Sequence, residues 1–204
     1  MRVVTLEDHF ATPMDRALIP PPNAERAAFL GFMDERAGFS VTQGLLDLGE
    51  MRLAHMDRCG IDYQIISLTH PNAQGYPPAT AIPLARDAND RLAEACRKHP
   101  TRLGGFAAIP TPDPAAAVKE LERAVRELGL KGALVCGHTQ GEFLDAQKFW
   151  GIFECAEALG VPIYIHPGMP HPLAMQAYFQ GPVEPMSRAP WGFAIDAGSH
   201  FLRI

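Results

Sequence analysis

Apolar positions along the 204-residue chain alternate between two periods, short runs that suit strands and longer stretches with the three-to-four spacing of helices. Val3 to His9 reads as a strand, and Leu45 to Cys59 as a helix with Leu46, Leu53 and Met56 on one side and Gly60 past its end. Ile61 to Leu68 predicts a second strand. The helix predicted over Ala79 to His99 groups Ala85, Ala88, Leu92, Ala95 and Cys96 before Pro100. Leu103 to Ile109 predicts strand three. Asp113 and Pro114 form an N-cap and first-turn pair for a helix with Val118, Leu121, Val125 and Leu128 inward and Gly129 beyond. Leu130 to Cys136 predicts strand four. Asp145 is positioned to cap a helix bearing Phe149, Ile152, Phe153, Ala156 and Leu159, closed by Gly160, and Val161 to His166 predicts strand five. A last helix is expected from Trp191 to the end of the chain.

Strands alternating with helices of this length predict right-handed βαβ units and a parallel sheet. The fold class is α/β, a TIM-barrel-like (β/α) fold of which residues 1–204 supply about five of eight units as one incomplete domain. A doubly wound open sheet would carry a Gly-rich first turn, but His9-Phe10-Ala11-Thr12-Pro13 follows strand one. Two Pro-containing connections, residues 11–44 and 167–190, each leave the C-terminal end of a strand, where a barrel builds its active site. They are expected to be substrate lids, with plain surface loops the alternative.

Composition changes this picture little. With 47% apolar and 20% charged residues the chain suits an ordinary soluble core. A net charge of −5, with Lys and Arg scattered, disfavours nucleic acid or an anionic membrane as partner. Charge near the N-terminus interrupts any signal-like apolar run, so the expected location is cytoplasmic. Cys59, Cys96, Cys136 and Cys155 are far apart and are expected to be reduced, packed thiols.

The candidate chemistry starts at Glu7 and His9. Positions i and i+2 of a strand share a face, so both side chains would address one point at the end of strand one. His166, ending strand five before Pro167, would reach the same rim. Carboxylate and neutral imidazole are ordinary ligands of zinc or manganese, which makes Glu7, His9 and His166 a three-ligand set. Phe10, His70, Asn72, Arg188 and Trp191 are candidates to contact substrate, Arg188 as a bidentate carboxylate clamp. His138 and His171 could reach the pocket as well as serve turns and lids. His55, His99 and His200 fall on helices and are expected to be structural, and Asp8 should face away from Glu7 and His9.

Four segments come in the order and spacing of one family: Leu6-Glu7-Asp8-His9-Phe10, Ser67-Leu68-Thr69-His70-Pro71-Asn72-Ala73-Gln74, Gly105-Phe106-Ala107-Ala108-Ile109-Pro110 and Tyr164-Ile165-His166-Pro167. The chain resembles the amidohydrolase-related decarboxylases along essentially its whole length, including the segment from Trp191 to Arg203. Glu-x-His on the first strand, in place of His-x-His, is similar to the γ-resorcylate and 2,3-dihydroxybenzoate decarboxylase branch. The resemblance implies a (β/α)₈ barrel binding one Zn²⁺ or Mn²⁺ through Glu7, His9, His166 and an eighth-strand Asp, with no organic cofactor. His166 is thereby implied as a catalytic residue as well as a ligand. The implied reaction is nonoxidative decarboxylation of a small hydroxylated aromatic acid, in a homo-oligomer. Hydrolysis of an amide, ester or lactone is the rival reading, and a non-catalytic half-barrel a third. The eighth-strand Asp and a Gly-His-x-Gly-Glu motif have no counterpart in these residues, so a partial sequence of a full enzyme is expected, ahead of a fragment completed by other chains or a degenerate relic.

Overall fold

In the computed structural model, which describes residues 1–187 and 191–204, the elements follow the expected alternation with four revisions. The strands are β1 (Val4–Phe10), β2 (Tyr63–Leu68), β3 (Leu103–Gly105), β4 (Ala107–Ala108), β5 (Ala133–Cys136) and β6 (Ile163–His166). The helices are α1 (Pro13–Leu18), α2 (Ala24–Ala37), α3 (Val41–Leu46), α4 (Glu50–Cys59), α5 (Pro78–Lys98), α6 (Pro114–Arg126), α7 (Trp150–Leu159), α8 (Pro172–Tyr178) and α9 (Trp191–Arg203).

All named strand pairs are parallel, in two sheets ordered β1-β2-β3 and β4-β5-β6. The predicted third strand is thus broken at Phe106. Its first part pairs with β2 and its second with β5, and the Phe106 N–H still donates to the Ile66 carbonyl at 2.9 Å. The result is a continuous arc of parallel strands in sequence order. Along its outer side α5 buries Leu84, Ala85, Ala88 and Leu92 against the sheet, and α6 buries Ala117, Leu121 and Ala124. Inside the arc, Ile65, Phe106, Leu134 and Cys136 form a second cluster with Tyr63 and Tyr164 packed against it. Two apolar layers on opposite faces explain why β2 and β5 are buried almost without alternation.

The remaining three revisions concern helices and connections. The helix expected from Leu45 starts at Glu50, because Leu46 ends the separate α3 and is largely exposed. Asp145 does not cap α7. A short 3₁₀ turn over Gln147–Phe149 intervenes, and the Asp145 carboxylate pairs instead with Arg203 at 2.8 Å. The long connections are also more ordered than expected, since 11–44 holds α1, α2 and α3 and 167–190 holds α8 and a 3₁₀ segment. Their helical signal in the sequence is weak because α3 and α8 bury no residue fully. By contrast Asp113 caps α6 as read, its Oδ1 accepting the Ala116 N–H at 3.0 Å.

Buried polar side chains tie the layers together. Asn89 on α5 donates to the Ala108 carbonyl and to Glu120 Oε1 at 2.9 and 2.8 Å, and accepts the Ala108 N–H at 2.8 Å. Gln74 does the same for the end of β5, accepting the Cys136 N–H at 2.6 Å and donating to the Cys136 carbonyl at 2.8 Å.

Candidate metal centre

β1 and β2 keep parallel register except at one place: Thr5 pairs with Gln64 and Asp8 with Ile66, so β1 carries one extra residue between them. Such a bulge re-aims a side chain and breaks the local ladder. It leaves Glu7 and His9 on the inner side, while Asp8 turns outward to accept from Gln64 at 2.8 Å and from the Thr5 hydroxyl. The outward turn of Asp8 is the expected one.

β6 brings His166 to the same place. Its Nε2 stands 3.9 Å from Glu7 Oε1, and the rings of His9 and His166 meet edge to face with centroids 5.0 Å apart. Both imidazoles are held at the other nitrogen. His166 Nδ1 lies 2.7 Å from the Pro167 carbonyl, which can only accept, so Nδ1 carries a proton and Nε2 is the nitrogen that faces Glu7. His9 Nδ1 lies 3.2 Å from the Ser67 hydroxyl. Ser67 is fully buried and sits opposite His9 in the register. Burial, with the nearby His166 second, lowers the pKa of His9 below its ordinary 6.5, against the opposing charges of Glu7 and Asp8. His9 is therefore a neutral donor at neutral pH. Tyr164, two residues before His166, has its pKa raised by burial first and by the nearby Glu7 charge next.

This donor set fits a divalent ion in chemistry: two imidazoles with their Nδ1 atoms engaged and one half-exposed carboxylate. Among the described residues no three ligand-type side chains already stand at ligand spacing. A tetrahedral ion with bonds of about 2.1 Å holds its donors about 3.4 Å apart, so the gap between Glu7 and His166 closes with a small side-chain movement. A cleft of about 410 Å³ runs beside Glu7 and His9, lined also by Asp8, Phe39, Arg52 and His55 among others.

The other expected site residues scatter. Phe10 is only 1% exposed and belongs to the outer core, so rim packing describes it better than a free aromatic wall. Asn72 is equally buried, its Oδ1 accepting the Ala73 N–H at 2.6 Å and its Nδ2 donating to the Leu134 carbonyl, which leaves the amide facing backbone. His70 is exposed beyond β2, Trp191 is 55% exposed at the start of α9, and Arg188 lies outside the described residues. His138, His171 and His200 gather around Phe143 near the end of β5, apart from Glu7 and His9. Burial pushes Cys96 up to about 11 and Cys136 up to about 12, so neither is a nucleophile near neutrality.

Sequence reasoning missed Ser67, Tyr164 and Arg52. Tyr164 was reachable, being at i−2 from His166 on one strand face. Ser67 and Arg52 were not, because their place beside His9 depends on strand register and helix packing.

A family model described as amidohydrolase matches residues 9–199. A γ-resorcylate decarboxylase of Polaromonas sp. is 37% identical over 98% of this chain and 60% of its own length. One from Rhizobium sp. is 38% identical over the same shares. Among solved structures, 5-carboxyvanillate decarboxylase from Novosphingobium aromaticivorans, complexed with manganese and 4-hydroxy-3-methoxy-5-nitrobenzoic acid, superposes with a TM-score of 0.82 at 35% identity. It covers 98% of this chain and 59% of that one. A 2,6-dihydroxybenzoate decarboxylase complexed with 2,6-dihydroxybenzoate gives 0.78 at 35% identity, over 100% of this chain and 61% of that one. The chain thus spans about 60% of the length of the curated relatives it matches.

Proposed function

Because the chain belongs to the amidohydrolase family, we propose that its residues serve metal-dependent, nonoxidative decarboxylation of a hydroxylated aromatic carboxylic acid. The observation that carries this reading is the meeting of Glu7, His9 and His166 at the strand ends. The names of the similar proteins support the substrate class. Residues 1–204 then act as part of one barrel domain, in a cytoplasmic homo-oligomer that takes a small aromatic acid and needs one Zn²⁺ or Mn²⁺.

Glu7, His9 and His166 would hold the ion. When bound, it supplies positive charge to the substrate carboxylate and the neighbouring phenolic oxygen, which lowers the energy of the charge that builds there. Each remaining role belongs to a side chain. Ser67 and the Pro167 carbonyl keep the His9 and His166 Nδ1 atoms engaged, so both rings present Nε2. Tyr164 lies close enough to Glu7 to feel its charge. In the reaction a general acid gives a proton to the ring carbon bearing the carboxylate, the bond to that carboxylate breaks, and its electron pair returns to the ring as CO₂ leaves. His166, whose Nε2 faces Glu7, is the catalytic candidate on this chain.

The test is incubation of the whole barrel domain that carries residues 1–204 with Mn²⁺ and 2,6-dihydroxybenzoate labelled with ¹³C in the carboxyl group. Labelled CO₂ and resorcinol in equal amounts, lost in His166→Ala, are expected. Incorporation of water oxygen into an amide, ester or lactone substrate instead would transfer the reading to hydrolysis.

A further inference from the structure

β1 carries two of the three candidate ligands, yet its backbone is less well secured than that of its neighbour β2. Its bulge interrupts the ladder to β2 between Thr5 and Asp8, just where Glu7 sits. The carbonyls of a strand alternate in direction. The Phe10 carbonyl accepts from the Thr69 N–H at 2.8 Å, toward β2, so the His9 carbonyl points to the opposite edge. No strand among the described residues pairs with that edge. An unpaired carbonyl there would leave the His9 backbone free to shift.

One side chain meets it. Arg52, in the first turn of α4, donates through Nη2 to the His9 carbonyl at 2.8 Å and through Nε to the Asp47 carbonyl at 2.9 Å. Its Nη1 reaches Gln64 Oε1 at 3.3 Å, and Gln64 Nε2 in turn donates to Asp8 Oδ1 at 2.8 Å. Asp47 Oδ1 accepts the Arg52 N–H at 2.9 Å, fixing where the side chain starts. A single rigid fork therefore grips both sides of the Glu7 bulge, directly at His9 and through Gln64 at Asp8. Arg52 is part-buried, and burial lowers its pKa against the favourable charges of Asp8 and Asp47. A guanidinium stays charged under such burial.

We propose that Arg52 is the positioning residue of this centre: it touches neither ion nor substrate, and it fixes the backbone from which Glu7 and His9 project. The proposal rests on the reading of Glu7, His9 and His166 as ligands of a divalent ion. It separates Arg52 from the exposed arginines of the chain, such as Arg91, whose partner is the helix neighbour Asp87.

The test is manganese titration of the chain, followed by loss of the free-ion electron paramagnetic resonance signal, on wild type, Arg52→Lys, Arg91→Lys and His9→Ala. Lysine keeps the charge but loses the fork. Outer partners of metal ligands change affinity about 10- to 100-fold, so Arg52→Lys is expected to bind about tenfold more weakly. Its bound-ion line shape should change while its circular dichroism does not. Arg91→Lys should match wild type. Equal affinity and line shape in wild type and Arg52→Lys overturn the proposal alone. No binding by wild type, or unchanged binding by His9→Ala, overturns the metal reading and the proposal with it. Should Arg52→Lys fail to fold, Gln64→Met decides. That variant removes the arm to Asp8 and is expected to weaken binding severalfold, and an unchanged affinity there overturns the proposal.

Discussion

At the scale of single residues, Ser67 shows how a side chain with no ionisable group can set the chemistry of one that has it. Its contact at His9 Nδ1 orients the ring, so Ser67→Ala is expected to weaken manganese binding about tenfold with little loss of stability, as read by titration calorimetry and thermal melting. The lowered pKa of His9 has its own consequence. Protons compete with the ion for the ring only once the pH falls below that lowered value, so manganese affinity should hold through pH 6.5 and decline below it. The same group resists protonation in the fold but not in the unfolded chain, so it also costs stability as the pH drops beneath 6.5. Asp15 works in the opposite direction. It is fully buried, neither carboxylate oxygen has a hydrogen-bond partner among the described residues, and burial raises its pKa from 3.8 to about 6. The folded chain holds that proton across a range where the unfolded chain has lost it, so stability falls as the pH rises from 3.8 through about 6. Asp15→Asn should therefore stabilise the chain by about 2 kcal/mol at pH 7.5 and hardly at all at pH 4, measured by urea unfolding at both.

At the scale of elements, most of what the sequence revealed is what local chemistry determines. Asp113 before Pro114 caps α6 as read, and Gly60 and Gly160 end α4 and α7 in the left-handed conformation that glycine tolerates. The strands are recognisable because β2 and β5 are short, mostly apolar runs buried on both faces. What escaped depends on partners. The break at Phe106 follows from one strand serving two neighbours whose directions diverge, and α1, α3 and α8 are too short and too exposed for a periodic signal. Asn89 likewise reads as one more polar residue in a helix, although it meets both backbone groups of Ala108. Asn89→Ala removes that partner from both Ala108 groups and leaves Glu120 to Arg123 alone, and is expected to destabilise the chain by about 3 kcal/mol. A lower urea midpoint with unchanged slope would show it.

At the scale of the whole molecule, the candidate centre belongs to no single element. Glu7 and His9 stand on the first strand of the arc and His166 on the last, and they meet because the intervening parallel strands curve the sheet enough for side chains to span its inside. The two ligand-bearing strands were legible in the sequence, since a strand end followed by Pro or by a polar turn is a local pattern. Their convergence came from the resemblance and the geometry together. Phe10 and Asn72, which the same motifs suggested for substrate, are taken up by packing and backbone bonds instead. The most direct measurement is pulsed electron paramagnetic resonance of the manganese-loaded chain, which detects ligand nitrogens at the ion. Couplings from two imidazoles, reduced to one in His9→Ala and in His166→Ala, are the predicted result; a manganese signal without imidazole couplings would contradict a centre built on Glu7, His9 and His166.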